Sequence, residues 1–325
     1  MHLTMTLEEL LAKNDTTSTH RFVQRGARRA FSSAPSGLAK ASGQDSERGS
    51  NYENYTAAAQ VYDGIRHAGG TEVILGSFAN GGTGKPLHQQ DVLDIGCGTG
   101  NYAAAVAPHI GSLTCMDGSP AMLAKCEEKL GDERTSAFVQ GLLPTLPFDD
   151  NSFDSAMCNV VIHHIENDET RPTWANTLAL MKEAKRVLRP GGTLCFNHIT
   201  PEQVDGYWFL AYVPECRERW KTTLVPTEQF HEMLGEAGLS DVRRTTPLDY
   251  TLFRPMEAYL DTRGPLDPAW RKSTSMWAVG EDDELTVALR RIEDDNSNGL
   301  VHKVIQDCEE IRTQIGHTCF FYAQA

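Results

Sequence analysis

From residue 91 to residue 247, short apolar runs alternate with longer stretches whose apolar residues recur every three or four positions. Val92, Leu93 and Ile95 form the first run, 112–116 the second, 155–162 a third, and a further strand opens just after Pro190. The segment 242–246 and the near-terminal 318–323 complete the strand signals. Runs this short, separated by stretches of helical period, predict buried strands joined by helices and hence an α/β sheet. The intervening helices fall over 101–107, 226–237 and a pair of acidic amphipathic segments from Glu281. Ser119 followed by Pro120 predicts a helix start, with a hydroxyl cap and a proline at the first turn.

The first run breaks into a loop with Gly96, Gly98 and Gly100. Alternating glycines allow a sharp turn and let a ligand lie against the main chain. A dinucleotide fingerprint would place its third glycine at 101, which is Asn101, so a nicotinamide enzyme is disfavoured. A P-loop would need a lysine in this loop, and it has none; Gly82, Thr83, Gly84 and Lys85 echo that motif without a strand before them.

With Asp94 before the glycines, the loop resembles motif I of the class I S-adenosylmethionine (SAM) methyltransferases. Asp117 ends the second run, near the distance at which Rossmann-like sites accept ribose hydroxyls. Leu146, Pro147 and Phe148, then Asn151 to Asp154, then Arg186 to Leu194 with Pro190, Gly191 and Gly192, follow in the order of that family's small-molecule branch. They resemble the ubiquinone and menaquinone biosynthesis methyltransferases over about residues 52–245. The resemblance implies a Rossmann-like, doubly wound, seven-stranded sheet whose last strand is antiparallel, with an α-helical cap inserted before it. It implies SAM as cofactor, bound by Asp94, Gly96, Gly98, Gly100, Asp117, Asn159 and the backbone and side chains of Leu142 and Leu143. Relatives carry Asp where this chain has Leu142, so adenine here relies on backbone groups and apolar packing.

His163 and His164 are expected to end the fourth strand, where a neutral imidazole could take a proton from an acceptor; packing is the competing reading. His198, at the end of the fifth strand, is a third candidate. A leading helix over 52–70 brings Tyr62 and Arg66. Two additions, 201–222 and 248–316, are rich in aromatics, and the second is expected to lie over the carboxyl ends of the strands as an acceptor cap. Tyr207 and Trp208 of the first addition and Tyr250 and Trp277 of the second are the candidate contacts, since aromatic faces stabilise cations such as a sulfonium. Arg66 and Arg254 could clamp a carboxylate.

The formal net charge of −14 argues against a nucleic-acid partner. Asn159 is followed by Val160 and Val161, not the Pro-Pro-Tyr of base methyltransferases. No apolar stretch approaches the ~20 residues of a membrane span. The eight cysteines include no Cys-x-x-Cys pair, which predicts a reduced compartment and no metal site. Residues 1–50 differ from the rest. They read as a basic, Ser/Ala-rich tail, with Arg21, Arg25, Arg28 and Arg29 on one helical face and Phe31, Ser32 and Ser33 beyond. A cytoplasmic location is expected; import into a mitochondrion or plastid is the alternative, opposed by Glu8, Glu9 and Asp15.

The expected activity is methyl transfer from SAM to a small molecule, preferably a carboxylate-bearing metabolite methylated on sulfur or oxygen. The alternatives are a protein or lipid-linked, quinone-like acceptor, or a non-catalytic SAM-binding protein. Oligomeric state is left open.

Overall fold

The computed structural model describes residues 66–131, 135–248, 256–272 and 274–325. Tyr62, Tyr250, Arg254, the tail over 1–50 and most of the expected 52–70 helix lie outside the described residues. The part of that helix within them, 66–70, is extended and then turns.

Helix α1 (Thr71–Ala79) precedes β1 (Asp91–Ile95), followed by α2 (Asn101–Val106), β2 (Ser112–Asp117), α3 (Pro120–Leu130) and β3 (Thr135–Gln140). The second half runs β4 (Phe153–Asn159), α4 (Ala175–Val187), β5 (Leu188–His198), α5 (Pro214–Lys221), α6 (Thr227–Glu236) and β6 (Ser240–Thr245). Helices α7 (Met256–Leu260), α8 (Pro268–Lys272), α9 (Asp282–Asn298) and α10 (Val301–Ile315) then lead to β7 (Cys319–Gln324). The seven strands order as β3-β2-β1-β4-β5-β7-β6, with β7 antiparallel to its neighbours. The expected sheet is therefore the observed one.

Alternation along β1 shows why two helical layers form. Val92 packs with Ile74 and Phe78 of α1 and Val106 of α2 on one face. Leu93 and Ile95 pack with Leu180 and Met181 of α4 and Phe230 of α6 on the other. β1 and β4 are buried along almost their whole length, so most of their positions are apolar and the polar exceptions, Asp94, Asp154, Ser155 and Asn159, are placed inside the fold. Edge strand β6 is mostly exposed and carries Arg243 and Arg244, which discourage pairing with another chain.

The later motifs stitch this frame together. Arg186 donates to the carbonyls of Leu146 (2.9 Å) and Phe148 (2.8 Å) and pairs with Glu183 and Asp150, fixing the loop before β4. Buried Asp154 accepts from the Asp91 amide and from Lys85, locking the amino ends of β1 and β4.

The two additions share a third core. Tyr207, Trp208, Phe209 and Trp220 from the first pack with Tyr259, Trp270, Trp277, Ile292 and Val301 from the second. Both cap segments, about 90 residues apart in parts, thus fold as one apolar unit beside the sheet.

Candidate functional site

In an open α/β sheet the ligand crevice lies at the carboxyl ends of the strands where the winding reverses. Here the reversal falls between β1 and β4, so Asp94 to Gly100 and Asn159 border it.

Gly96 and Gly100 have positive φ and no room for a side chain: a Cβ would stand 2.6 Å from Val161 and from Cys126 Sγ, respectively. Gly98 also has positive φ (55°), yet a Cβ there would meet nothing within 4 Å. That open space over bare backbone is a cradle. The amides of Gly96 and Cys97 are taken up by the Met116 carbonyl, and the Gly98 amide donates to Asp117 Oδ2 at 2.9 Å. Ser119 N donates to the other Asp117 oxygen (2.8 Å), while the Ser119 hydroxyl caps α3 through Met122 N. Two amides orient the Asp117 carboxylate and leave lone pairs for hydroxyl donors. Burial raises its pKa, and the Ser119 and Gly98 amides oppose that rise.

Asp94 is buried, with Oδ2 unpartnered among the described residues; burial first, then Cys126 and Asp117, push its pKa well above the usual carboxylate range. Asn159, at the end of β4, has both amide atoms buried and unpartnered among the described residues. Buried polar groups without partners are uncommon and mark where a polar ligand group would sit. Beside it, Asn197 Nδ2 donates to the Tyr102 hydroxyl (2.7 Å), which donates to the Gly69 carbonyl. Leu142 is 69% exposed, and its Cδ2 lies 3.0 Å from where a Gly118 Cβ would stand, giving the crevice an apolar wall beside Asp117. These groups suit a nucleoside with an attached polar chain.

Residues 93–196 match the methyltransferase domain family. Over these residues the chain carries a methyltransferase domain, in keeping with the class I SAM-dependent resemblance of its motifs. A phthiotriol/phenolphthiotriol dimycocerosates methyltransferase of Mycobacterium leprae is 34% identical over 38% of this chain and 42% of its own length. A demethylmenaquinone methyltransferase of Staphylococcus aureus is 28% identical over 46% of this chain and 68% of its own. The chain spans between two fifths and two thirds of the first curated relatives it matches. In fold, the domain is similar to a structure described as a methyltransferase from an antibiotic biosynthesis pathway of Anabaena variabilis. The TM-score is 0.62 at 18% identity, over 78% of this chain and 96% of that one. The orphaned Asp94 and Asn159 atoms and the Gly98 cradle fit SAM, the cofactor of this methyltransferase domain.

The neighbouring cap side differs from expectation in several places. His163 and His164 do not end β4, which stops at Asn159; they sit in a one-turn 3-10 helix, Ile162–His164. Val160, forced to a φ of 57°, turns the chain out of the sheet and shortens the strand. The two imidazole centroids lie 3.9 Å apart with the rings tilted by 43°, and Trp220 is edge-on to His163. Glu166 follows and is buried as a cap for α4, accepting from Thr177 N and its hydroxyl (both 2.7 Å). Burial, then the charge of Arg66, pushes His164 down to about 3; burial, His164, His198 and Arg66 push His163 well below its usual value.

His198 is held by packing. Its Nε2 donates to the Val225 carbonyl (2.9 Å) and its ring stacks on Phe230, with burial lowering it to about 4. Trp208 is fully buried, its indole donating to the Tyr259 carbonyl (2.7 Å), and Trp277 stacks with Phe209 inside the cap core. Tyr207 donates to the His317 carbonyl (2.8 Å) and stacks on that imidazole at 4.2 Å.

His317 is the residue that pattern reading missed. It precedes β7, is fully buried, and has both ring nitrogens unpartnered among the described residues. Burial, then Arg312 and Arg66, push its pKa well down. Arg66 therefore acts electrostatically on His163, His164 and His317 together. No periodicity or spacing links residues 66, 163 and 317; only the closed fold joins them.

Proposed function

We propose that this protein transfers the methyl group of SAM to a small acceptor bearing an anionic group, with a carboxylate preferred and sulfur or oxygen as the nucleophile. The observation carrying this reading is that the charge of one guanidinium, Arg66, adds to burial in suppressing the basicity of three imidazoles. A fixed cation with neutral hydrogen-bonding rings around it suits an anion that must be desolvated and held.

SAM supplies an electrophilic methyl group on a sulfonium and so carries its own leaving-group activation. On the chain's side, Asp117 accepts from ribose hydroxyls, Asp94 and Asn159 engage the amino-acid portion, and Leu142 and Leu143 pack on the adenine. Arg66 holds the acceptor's anionic group, Tyr207 and Trp220 wall the site, and the cap excludes water, an alignment worth several kcal/mol. Histidines this hard to protonate are poor general bases, because a base works best with a pKa near the operating pH. The reading therefore favours an acceptor with no proton to lose, such as a thioether or a carboxylate oxygen, with His163 and His164 as hydrogen-bond partners. Where a hydroxyl or thiol must be deprotonated, an acceptor anion paired with Arg66 removes part of the field that weakens the two rings. The domain limits fit the same reading: the methyltransferase unit begins near residue 51, with 201–222 and 248–316 as its cap.

A quinone-like or lipid-linked acceptor is the second reading, favoured by the names of the curated relatives. The test is release of S-adenosylhomocysteine from protein supplied with SAM and separate pools of thioethers, carboxylic acids, phenols and thiols, amines, and isoprenoid quinones. Turnover with carboxylate-bearing thioethers or acids supports the proposal, and turnover with quinones alone overturns it. In parallel, Asp117→Ala should abolish SAM binding and turnover together; unchanged turnover would sink the cofactor site as assigned.

A further inference from the structure

Three cysteines far apart in sequence meet behind the cofactor loop. Cys97 lies between Gly96 and Gly98, Cys115 in β2 and Cys126 in α3, and their Sγ atoms all lie within 4.8 Å of one another. All three are buried, and the neighbouring sulfurs together with burial push the Cys97 and Cys115 pKa values up. Three sulfurs around one cation, each with a bond of about 2.3 Å, stand about 4 Å apart, so the cluster is nearly preorganised for trigonal coordination.

We propose that Cys97, Cys115 and Cys126 form a binding site for a single soft monovalent cation of the cuprous class. Structural zinc takes four ligands, and among the described residues no fourth His, Cys, Asp or Glu donor joins the group within the same span. Soft thiolates suit cuprous copper, zinc and iron–sulfur clusters alike, and a set of three that lacks the fourth ligand of zinc points to cuprous copper. Binding displaces the protons that burial keeps on these thiols, and the charge of the cation compensates the thiolates that form. A disulfide fits less well. An oxidant would have to reach a buried site, and a disulfide would use two sulfurs and leave the third over. Cys126 packs directly on Gly100, so a cation here would tie the cofactor loop to β2 and α3.

The full chain, reduced and kept anaerobic, is titrated with cuprous ion held by the chromophoric chelator bicinchoninate. Wild-type protein should withdraw one equivalent, Cys115→Ser and Cys126→Ser should withdraw none, and Cys158→Ser, altered in β4 away from the cluster, should withdraw one. No uptake by the wild type, or full uptake by both cluster variants, overturns the site. Zinc bound at one equivalent through the same cysteines and not displaced by cuprous ion overturns the choice of cation. Should the serine variants fail to fold, X-ray absorption at the copper edge of the loaded wild type decides: three sulfur neighbours support the site and fewer refute it.

Discussion

At the scale of single residues, glycine and charge do most to define the site. Gly98 differs from Gly96 and Gly100 because its missing side chain leaves room for a ligand, not for the protein. Gly98→Ala should therefore fold, at a strain of about 1–2 kcal/mol for a left-handed alanine. Its SAM affinity should fall about tenfold or more, equal to at least about 1.4 kcal/mol; isothermal titration beside a urea melt separates the two effects. A variant losing stability but not affinity would remove Gly98 from the cradle. Arg66 makes a complementary case on the acceptor side. Arg66→Ala should lower kcat/KM for an anionic acceptor by about 10–100-fold, the range for losing a charged hydrogen bond, with SAM affinity unchanged. Arg66→Lys should recover only part of it, since an ammonium lacks the planar fork. Equal losses toward neutral and anionic acceptors would contradict the anion-holding role.

Among the elements, loops are fixed by side chains reaching across the sheet. The segment after β3 carries Leu142 and Leu143 at the cofactor crevice, and Arg186 of α4 anchors the stretch that follows through two carbonyls. Truncating Arg186 to alanine strips those carbonyls of a charged donor and leaves Glu183 only the Leu146 amide, at a cost of about 1–3 kcal/mol. A urea midpoint shift of that size, with faster proteolysis between 142 and 150, is the expected result; an unchanged protease pattern would count against this anchoring. The motif strings around Leu146 and Arg186 were readable as separate signals. Their meeting was not, because an arginine-to-carbonyl bond over 38 residues leaves no periodic trace. The histidine pair shows the opposite limit. An apolar run predicted a strand through Ile162, but the positive φ of Val160 ended it three residues earlier, and local propensity gave no sign of that turn.

For the molecule as a whole, four buried histidines set the response to acid. His163, His164, His198 and His317 are all held below the usual value of 6.5, His198 at about 4 and His164 at about 3. Below pH 6.5 the unfolded chain binds protons that the folded chain refuses, so folding stability is full above that pH and is lost as pH falls toward 4. Asp94 and Asp117, with raised values, act in the opposite sense, losing stability as pH rises through their folded pKa. Four groups against two should leave a net acid lability. Scanning calorimetry should give a Tm level above about pH 7 that drops steadily from pH 6.5 to pH 4. A Tm constant over that window would mean the imidazoles are solvated. No described helix is long and apolar enough to cross a membrane.

The motif resemblance implied the sheet order and the cap before β7, while the sequence by itself determined the alternation of strands and helices, the glycine loop and the acid at the end of β2. Each is written in neighbouring residues, through period-two burial, helical spacing or the need for positive φ. Tertiary structure alone decided which distant groups act on one another: the charge of Arg66 on His163, His164 and His317, Cys97 with Cys115 and Cys126, and the two cap segments around one aromatic core. Those meetings depend on how the sheet winds and where chains end against each other. A pattern along the chain has no term for such contacts, since their partners are separated by tens to hundreds of residues and bound by packing, not by spacing.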